Sequence, residues 1–276
     1  MKVGIIGFGN LGRFLADFIQ NSKDMELEFV WNRSKVEMEG IPEKLILDKL
    51  EDLLKRSADL IVEVAHPSIA KDYGKMILSV SDFFIGSPTA LADQTTEDSL
   101  RSTALQNGRA LYVPSGAFWG AQDIQKMAQS GSLSSLKVTM KKHPSCFKLS
   151  SKKMELLNKQ SIHEDRIVVL FEGSVRELCP LAPNNVNTMA AAAIAASNLG
   201  FDNVVGCLVA DPKMGDWHIV EIEVGGATSA NGDKFTVKTT RSNPANPGAV
   251  TGSATFASFR QSLLQAKNRG PGVHLC

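Results

Sequence analysis

The chain has 276 residues, enough for two modest domains that each bury their own core. Its 30 lysines and arginines balance 29 aspartates and glutamates, which excludes a basic nucleic-acid surface and a polybasic membrane segment. The opening lacks the pattern of a signal peptide, and no apolar run approaches the roughly 18 residues of a membrane span. We therefore expect a cytoplasmic protein that acts on small molecules.

The cysteines indicate free thiols in a reducing compartment. They are far apart and form no C-x-x-C pair, which argues against both a zinc site and a disulfide framework. No spacing of His, Asp and Glu suggests another metal, so no metal is expected. The four are Cys146, Cys179, Cys207 and Cys276.

The first half of the chain alternates predicted strands and helices. Residues 2–6 (KVGII) predict a buried strand, and LGRFLADFIQ predicts a helix because its apolar residues recur at helical spacing. A Leu-rich helix is expected at 43–55, and further strands are expected at ELEFVWN, DLIVEVA, SDFFIGS and RALYVPSG. This order is typical of an α/β fold with a Rossmann-type, doubly wound parallel sheet, here assigned to residues 1–119.

The second half predicts an α+β domain with a mostly antiparallel sheet over residues 120–250. Its candidate strands are SLKVTMKKHP, EDRIVVLFEGS, NVVGCLVADP, HIVEIEVGGATS and DKFTVKTTRSN. One Ala-rich helix, NVNTMAAAAIAASNLG, is expected to end at Gly200 as its C-cap. A last helix at about 252–268 is expected to pack back on the first domain, and the tail NRGPGVHLC is expected to be frayed.

The stretch GFGNLG predicts a dinucleotide-binding turn because it lies between a strand and a helix. Gly7 allows the tight turn, Gly9 lets a backbone approach the pyrophosphate, and Gly12 lets the helix pack close to the strand. Asn10 and Leu11 open the helix, whose first N–H groups face the phosphates.

The end of the second strand bears on the choice of dinucleotide. NAD enzymes usually place an acidic residue there for the ribose 2′-hydroxyl, whereas this chain has Asn32, Arg33 and Ser34. An arginine with small polar neighbours suits a 2′-phosphate, so NADP is slightly favoured over NAD. The alternative is that Arg33 is a surface turn residue.

Small residues follow the later strands, where a parallel sheet holds the nicotinamide half of the cofactor. They leave room for a flat ring, and backbone groups of the turn 115–117 are expected near its carboxamide. The predicted pocket residues are Ala65, His66, Ser87, Pro88 and Ala117.

Several of these stretches, in this order, resemble the L-aspartate dehydrogenase family, including its animal aspartate dehydrogenase domain-containing members. The resemblance covers nearly the whole chain. It implies oxidation of L-aspartate to iminoaspartate, then oxaloacetate and ammonia, by a homodimer that uses NAD or NADP. The matching stretches are GFGNLG, VEVAHPSIAKDYG, VPSGAFWG, VLFEGSVRE, APNNVNTMAAAAIA, VADPKMGDWHIVEIEV and SNPANP.

The resemblance also implies site residues. The alanine of PSGA is Ala117, and the cofactor-contacting asparagine of NNVN is Asn187 as first choice and Asn185 as second. The proposed catalytic histidine is His218, whose ordinary pKa suits it to activate water or to take a proton from the substrate. From the residues alone, a lone histidine beside a tryptophan is more often structural.

Two segments depart from the family pattern. Asp216 and Trp217 precede His218 where Asn and Ile are usual, so Trp217 either alters the pocket or faces the core. The segment NPANPGAVTG is longer than the usual one and lacks its lysine.

Three cationic side chains near the second sheet are candidates for binding the two substrate carboxylates. Lys141, Lys142 and Arg241 are candidate carboxylate ligands, and each is equally well a surface charge.

The remaining histidines are assigned to a turn before a proline, a charged loop and the tail, and these are His143, His163 and His274.

Two other functions fit the same motifs. One is the reduction of a different small imine or oxo acid, as in the dihydrodipicolinate reductases, which this two-domain plan also resembles. The other is a dimeric NADP-binding scaffold or sensor without turnover. His218 argues against the scaffold, which has no need of it.

Overall fold

Strands and helices follow one another much as predicted. The computed structural model describes residues 1–34, 38 and 40–276. Within these residues the strands are β1 (Lys2–Ile6), β2 (Glu26–Trp31), β3 (Leu60–Glu63), β4 (Asp82–Ile85), β5 (Ala110–Val113), β6 (Leu133–Lys142), β7 (Val168–Ser174), β8 (Val205–Ala210), β9 (Trp217–Thr228), β10 (Lys234–Pro244) and β11 (Gly272–Leu275). The α-helices are α1 (Asn10–Gln20), α2 (Pro67–Val80), α3 (Gln94–Gln106), α4 (Ala121–Gln129), α5 (Lys152–His163), α6 (Val175–Leu178), α7 (Asn187–Ala195), α8 (Gly200–Asn203) and α9 (Ser253–Gln265).

The chain divides into two compact units. The first comprises Met1–Pro114, Phe259–His274 and Cys276, and the second comprises Ser115–Ser258 and Leu275. Helix α9 therefore begins in the second unit and ends in the first.

The first unit is built on a six-stranded parallel sheet with the order β11-β5-β4-β3-β1-β2. Strand β1 pairs with both β2 and β3, so the chain reverses its direction of travel across the sheet at this point. In open α/β sheets, ligands bind beyond the carboxyl ends of the strands at such a reversal. The predicted Rossmann-type sheet is confirmed, and its reversal lies where the glycine turn follows β1.

The apolar faces of this sheet are filled by helices from both ends of the chain. Alternating residues of β1, Val3 and Ile5, are fully buried with Leu15 of α1. Phe259 of α9 joins the same core and meets Phe84 of β4 edge to face, with ring centroids 6.1 Å apart. A helix distant in sequence thus completes the core of the first unit.

The second unit contains a five-stranded sheet with the order β10-β9-β6-β8-β7. Three neighbouring pairs are antiparallel and one, β6 with β8, is parallel, which confirms the mostly antiparallel prediction. The Ala-rich α7 is buried along almost its whole length. A Cβ at Gly206 of β8 would lie 2.9 Å from the sulfur of Met189, so glycine allows this helix to lie close to the sheet.

The helix predicted at 43–55 is wrong. The segment forms two 3₁₀ helices, Glu43–Leu45 and Leu50–Lys55. Between them Ile46 pairs with Val30 of β2, and the Leu47 N–H donates to the Val30 carbonyl at 2.9 Å. The backbone bonds to the sheet edge and cannot also continue a helix.

The predicted end of helix α7 and the predicted state of the C-terminal tail are also corrected. Helix α7 stops at Ala195, and Gly200, with a φ of +61°, begins α8 instead of capping α7. The tail is not frayed, because β11 lies beside β5 and the Cys276 N–H donates to the Val113 carbonyl at 2.9 Å. None of the described helices is both long and apolar enough to span a membrane.

Replacement of Phe259 by alanine should lower the free energy of unfolding by about 3–5 kcal/mol, because it leaves a cavity beside Phe84. Urea unfolding measures the loss. Leu264→Ala on the same helix is the matched control, since Leu264 is 37% exposed. Equal destabilisation by the two substitutions would contradict the packing of α9 into this core.

Candidate active site

The turn between β1 and α1 admits only glycine at two positions. Gly7 has a φ of +104°, and a Cβ there would lie 2.8 Å from the backbone nitrogen of Ala65. A Cβ on Gly12 would lie 2.0 Å from the carbonyl oxygen of Gly7. A Cβ on Gly9 would meet nothing within 4 Å in the described chain. Gly7 and Gly12 are therefore required by the fold, and the space beside Gly9 is open to a ligand.

The first turn of α1 is suited to an anion. The helix begins at Asn10, followed by Leu11, and its N-cap Gly9 has no side chain to accept from the first N–H groups. No acidic residue lies in this turn. The open N–H groups and the positive end of the helix dipole therefore face the space beside Gly9.

The residues after β2 divide into one structural and two exposed side chains. The Phe8 N–H of the glycine turn donates to Asn32 Oδ1 at 3.1 Å, and Asn32 Nδ2 donates to the Ser34 carbonyl at 3.0 Å. Asn32 thus fastens the end of β2 to the glycine turn. Arg33 and Ser34 are exposed next to it.

The predicted nicotinamide residues of the first unit lie on the two loops that follow β3 and β4. Ala65 and His66 are exposed, whereas Ser87 and Pro88 are buried. His66 caps α2, because its Nδ1 accepts from the Ser68 N–H at 3.2 Å. These loops leave the same edge of the sheet as the glycine turn.

Sequence reasoning missed the residue that joins these loops, Glu63. Its Oε1 accepts from the N–H groups of Ala65 and His66 at 2.7 and 2.8 Å and from Ser87 Oγ at 3.1 Å. Its Oε2 accepts from the Ser87 N–H at 3.0 Å. Burial raises the pKa of Glu63 to about 7, while the four hydrogen bonds act to lower it. The sequence feature that could have identified Glu63 is an acidic residue at the end of an otherwise apolar strand.

In the second unit, three polar side chains form a buried row across adjacent strands. His218 of β9 pairs directly opposite Asn243 of β10, and on its other side Lys141 of β6 pairs opposite Ile219, which makes Lys142 the neighbour of His218. The exposed fractions of Lys142, His218 and Asn243 are 1%, 4% and 3%. We call Lys142, His218 and Asn243 the polar row.

The polar row is incompletely hydrogen-bonded among the described residues. His218 Nε2 and Asn243 Oδ1 are buried and have no hydrogen-bond partner there. Burial, followed by the positive charge of Lys142, lowers the pKa of His218 to about 4, while a backbone hydrogen bond at Ala249 acts to raise it. Burial also lowers the pKa of Lys142 to about 8. Buried polar atoms without partners are costly, and a polar ligand that paired with them would remove that cost.

Residues 245–252, which complete the segment NPANPGAVTG after Asn243 and Pro244, lie against the polar row. Lys142 Nζ donates to the Val250 carbonyl at 2.8 Å. A Cβ at Gly252 would lie 3.8 Å from His218 Nδ1 and 3.2 Å from the Asn243 Cβ. The segment therefore brings backbone carbonyls, and no lysine, to this row.

The two candidate asparagines have different surroundings. Asn185 exchanges hydrogen bonds with the backbone of Lys148, donating to its carbonyl at 2.6 Å. Asn187 begins α7, and its buried Oδ1 has no partner within the described residues. The side chain of Asn185 is thus used by the fold, and that of Asn187 is available to a ligand.

Ala117 lies on a turn held by two side chains. The Gly116 carbonyl accepts from Ser258 Oγ at 2.8 Å and from Arg241 Nη1 at 3.3 Å. Gly116 has a φ of +58°, and Ala117 itself is buried. Arg241 is thus at least partly occupied in holding this turn.

The remaining predicted residues lie outside the polar row. His143 caps a 3₁₀ turn by accepting from the Ser145 N–H, and His163 is exposed at the end of α5. His274 lies in β11, where its Nε2 contacts the Gly270 carbonyl at 2.9 Å. Trp217 is 47% exposed on the face of β9 opposite His218, so it neither faces the core nor adjoins the histidine side chain.

Family models match both units. The model "Aspartate dehydrogenase, C-terminal" matches residues 123–262, and "Homoserine dehydrogenase, NAD binding domain" matches residues 7–114. The chain is 53% identical over 281 residues to the aspartate dehydrogenase domain-containing protein of Xenopus tropicalis, with 100% of this chain and 98% of that protein covered.

This chain belongs to the aspartate dehydrogenase family. It is 30% identical over 237 residues to the L-aspartate dehydrogenase of Methanococcoides burtonii, with 82% of this chain and 84% of that protein covered. The crystal structure of aspartate dehydrogenase from Thermotoga maritima superposes with a TM-score of 0.68 at 25% identity, covering 98% of this chain and 97% of that one. The resemblance seen in the motifs is confirmed, and the chain is an oxidoreductase of the amino-acid dehydrogenase class.

Among the described residues, no group of three or more His, Cys, Asp or Glu side chains is arranged to hold a metal ion. The four cysteines are buried free thiols.

Alanine substitutions at Gly9 and Gly12 should change different properties of this aspartate dehydrogenase family member. The first should affect cofactor binding, and the second should affect stability. Gly12→Ala should lower the unfolding midpoint in urea, because its Cβ would collide with the Gly7 carbonyl. Gly9→Ala should leave that midpoint unchanged and weaken NADPH binding by about tenfold or more, because its Cβ enters the open space. Fluorescence titration with NADPH measures the affinity, and unchanged binding by Gly9→Ala would contradict this placement of the pyrophosphate.

Proposed function

We propose that this protein is an NAD(P)-dependent L-aspartate dehydrogenase. It oxidises L-aspartate with water to oxaloacetate and ammonium through iminoaspartate, reduces NAD(P)⁺, and also runs in reverse. NADP is slightly favoured over NAD. The observation that carries the proposal is the buried polar row of a member of this family, which combines an ammonium with a histidine nitrogen that has no partner among the described residues.

The residues at the edge of the parallel sheet fit a dinucleotide. The open space beside Gly9 and the uncapped first turn of α1 suit the pyrophosphate. Asn32 is engaged by the Phe8 N–H, and exposed Arg33 follows it where an acidic residue would repel a 2′-phosphate. Ala65, His66, Ser87 and Pro88 of the first unit would line the nicotinamide half. The family resemblance assigns cofactor contacts to Ala117 and Asn187 as well. When bound, the nicotinamide supplies the hydride acceptor for the α-carbon.

Lys142 is the strongest candidate for a substrate carboxylate ligand. Its ammonium is buried and, among the described residues, makes one hydrogen bond, to the Val250 carbonyl. Two N–H groups are left for an anion, and a charge-assisted hydrogen bond is strongest where water is excluded. A dicarboxylate such as aspartate provides that anion.

His218 would accept a proton at its Nε2 from the substrate amine or from the attacking water. A backbone hydrogen bond at Ala249 acts to raise the pKa of the imidazole, as a carbonyl does when it accepts from a ring N–H. Nε2 is the ring nitrogen without a partner in the described structure, so it carries the lone pair. A carboxylate beside Lys142 offsets the positive charge that lowers the pKa of His218. Substrate binding thereby makes His218 a better base toward the substrate amine or the water that attacks the imine.

Three further parts of the proposal follow from the chain as a whole. Residues 1–119, with the returning helix α9, would bind the nucleotide, and residues 120–250 would provide the catalytic and dimerisation surfaces. The family resemblance supports a homodimer. The buried free thiols support a cytoplasmic location, where cysteines remain reduced.

Absorbance of the reduced nicotinamide tests the proposed reaction directly. L-Aspartate with NADP or NAD at alkaline pH should produce it, and oxaloacetate with ammonium and NADPH at neutral pH should consume it. Clear NADPH binding with no turnover in either direction would favour the non-catalytic scaffold. Turnover of another imine or oxo acid at a much higher kcat/KM would favour the alternative reductase.

His218→Ala should lower kcat by about 100-fold or more, the usual effect of removing a general acid–base group. The dissociation constant of NADPH should stay within about twofold of wild type, because His218 would act on the substrate. His163→Ala is the matched control, since His163 is exposed at the end of a helix. Full turnover by His218→Ala would show that the histidine is structural.

Arg33→Asp should weaken NADPH binding by about tenfold or more and leave NADH binding unchanged or tighter, because the 2′-phosphate loses a cationic partner and meets a carboxylate. Parallel titrations with NADPH and NADH give the ratio. Lys23→Asp changes the charge equally at another exposed position of the first unit. An unchanged ratio in Arg33→Asp would make Arg33 a surface turn residue.

A further inference from the structure

Glu63 is an unusual residue for its position. It is fully buried at the end of β3, and it is the sole acidic side chain buried in the described part of the first unit. No lysine, arginine or histidine forms a salt bridge with it in the described chain. A buried carboxylate is costly unless hydrogen bonds satisfy it, so this residue needs an explanation beyond packing.

The hydrogen bonds of Glu63 join two separate loops. Both backbone N–H groups at 65 and 66, after β3, donate to Oε1, and the backbone N–H and hydroxyl of Ser87, after β4, donate to the carboxylate as well. All four partners are donors, which favours the ionised carboxylate. The two strands also approach closely here, because a Cβ at Gly86 would lie 2.3 Å from the Glu63 carbonyl oxygen.

Two other carboxylates accept backbone hydrogen bonds at the opposite edge of the sheet, and both are more exposed than Glu63. Asp59 Oδ2 accepts from the Lys2 N–H at 2.7 Å, and Asp82 Oδ1 accepts from the Ala110 N–H at 3.0 Å. Each of these carboxylates bonds to one neighbouring strand, at the amino ends of the strands, where no cofactor residue was predicted. The buried carboxylate with four donors, Glu63, lies at the carboxyl edge, beside the loops assigned to the nicotinamide.

We propose that Glu63 is a positioning residue, whose carboxylate sets the distance between the β3 and β4 loops so that they accept the nicotinamide half of the cofactor. This inference rests on the proposed function, because that function assigns the nicotinamide to these loops. Glu63 acts through Ala65, His66 and Ser87 and need not touch the cofactor. It contributes to the nicotinamide half alone, because the pyrophosphate and adenosine half depend on the glycine turn and Arg33.

Glu63→Gln tests the inference because glutamine keeps the size and removes the charge. Its amide NH₂ group would meet donors, which leaves at least one loop N–H without an acceptor. We expect the dissociation constant of NADPH to rise about tenfold, as for the loss of one charge-assisted hydrogen bond. Adenosine 2′,5′-bisphosphate, which lacks the nicotinamide and the pyrophosphate, should bind within about twofold of wild type. Asp59→Asn is the matched control and should bind both ligands as wild type does.

The outcomes separate three possibilities. Selective loss of NADPH affinity supports the positioning role, and a rise in KM for NADPH with the adenosine ligand unaffected supports it further. Equal loss of both ligands, or no loss of either, overturns it. A wild-type protein that binds neither NADPH nor the adenosine ligand contradicts the proposed function itself, and the inference falls with it.

Amide hydrogen exchange on the wild-type protein decides the matter if Glu63→Gln does not fold. The N–H groups of Ala65, His66 and Ser87 should be protected in the free protein, since Glu63 accepts from each. NADPH should increase their protection, and adenosine 2′,5′-bisphosphate should not. Rapid exchange at all three positions, or equal protection by the two ligands, would overturn the inference.

Discussion

The cost of burying polar side chains at strand ends is the constraint on which both units depend. In the first unit this cost is met inside the protein, because four donors surround the Glu63 carboxylate. In the second unit it is only partly met, because His218 Nε2 and Asn243 Oδ1 have no partner among the described residues. A satisfied buried group holds loops in place, whereas an unsatisfied one provides binding energy to a ligand that pairs with it.

The polar row also links stability to pH in a definite direction. The pKa of His218 falls from 6.5 to about 4 on folding, so the unfolded chain binds more protons between these values. The contribution of His218 to stability is fully present above pH about 6.5 and is lost as the pH falls toward about 4. The pKa of Lys142 falls from 10.5 to about 8, so its burial costs stability below about pH 8 and the cost is relieved as the pH rises. Both costs are consistent with side chains kept for a ligand, since active sites are frequently less stable than the fold requires.

Sequence patterns predicted the architecture well where the local pattern of apolar residues matches the burial of the segment in the structure. The alternation in the first half predicts the parallel sheet because a strand buried on both faces reads as a continuous apolar run. It fails at 43–55, where the backbone of Ile46 and Leu47 bonds to Val30 of β2 between two short 3₁₀ helices. It fails again at the tail, where GVHL supplies a sixth strand to a sheet whose other strands lie within the first 113 residues. Pairing with a distant strand leaves no local signal in either segment.

The sequence by itself determined the glycine turn, the order of elements and the family, because these depend on neighbouring residues and on motifs in a fixed order. Only the tertiary structure distinguished Asn187 from Asn185, placed Trp217 away from His218, and brought Lys142 and Asn243 beside that histidine. Glu63 likewise acquires its partners from two loops, and the Ser87 that belongs to the second loop lies 24 residues further along the chain. The physical reason is the same throughout: a polar group's role depends on which donors and acceptors surround it after burial, and strands distant in the chain decide those neighbours.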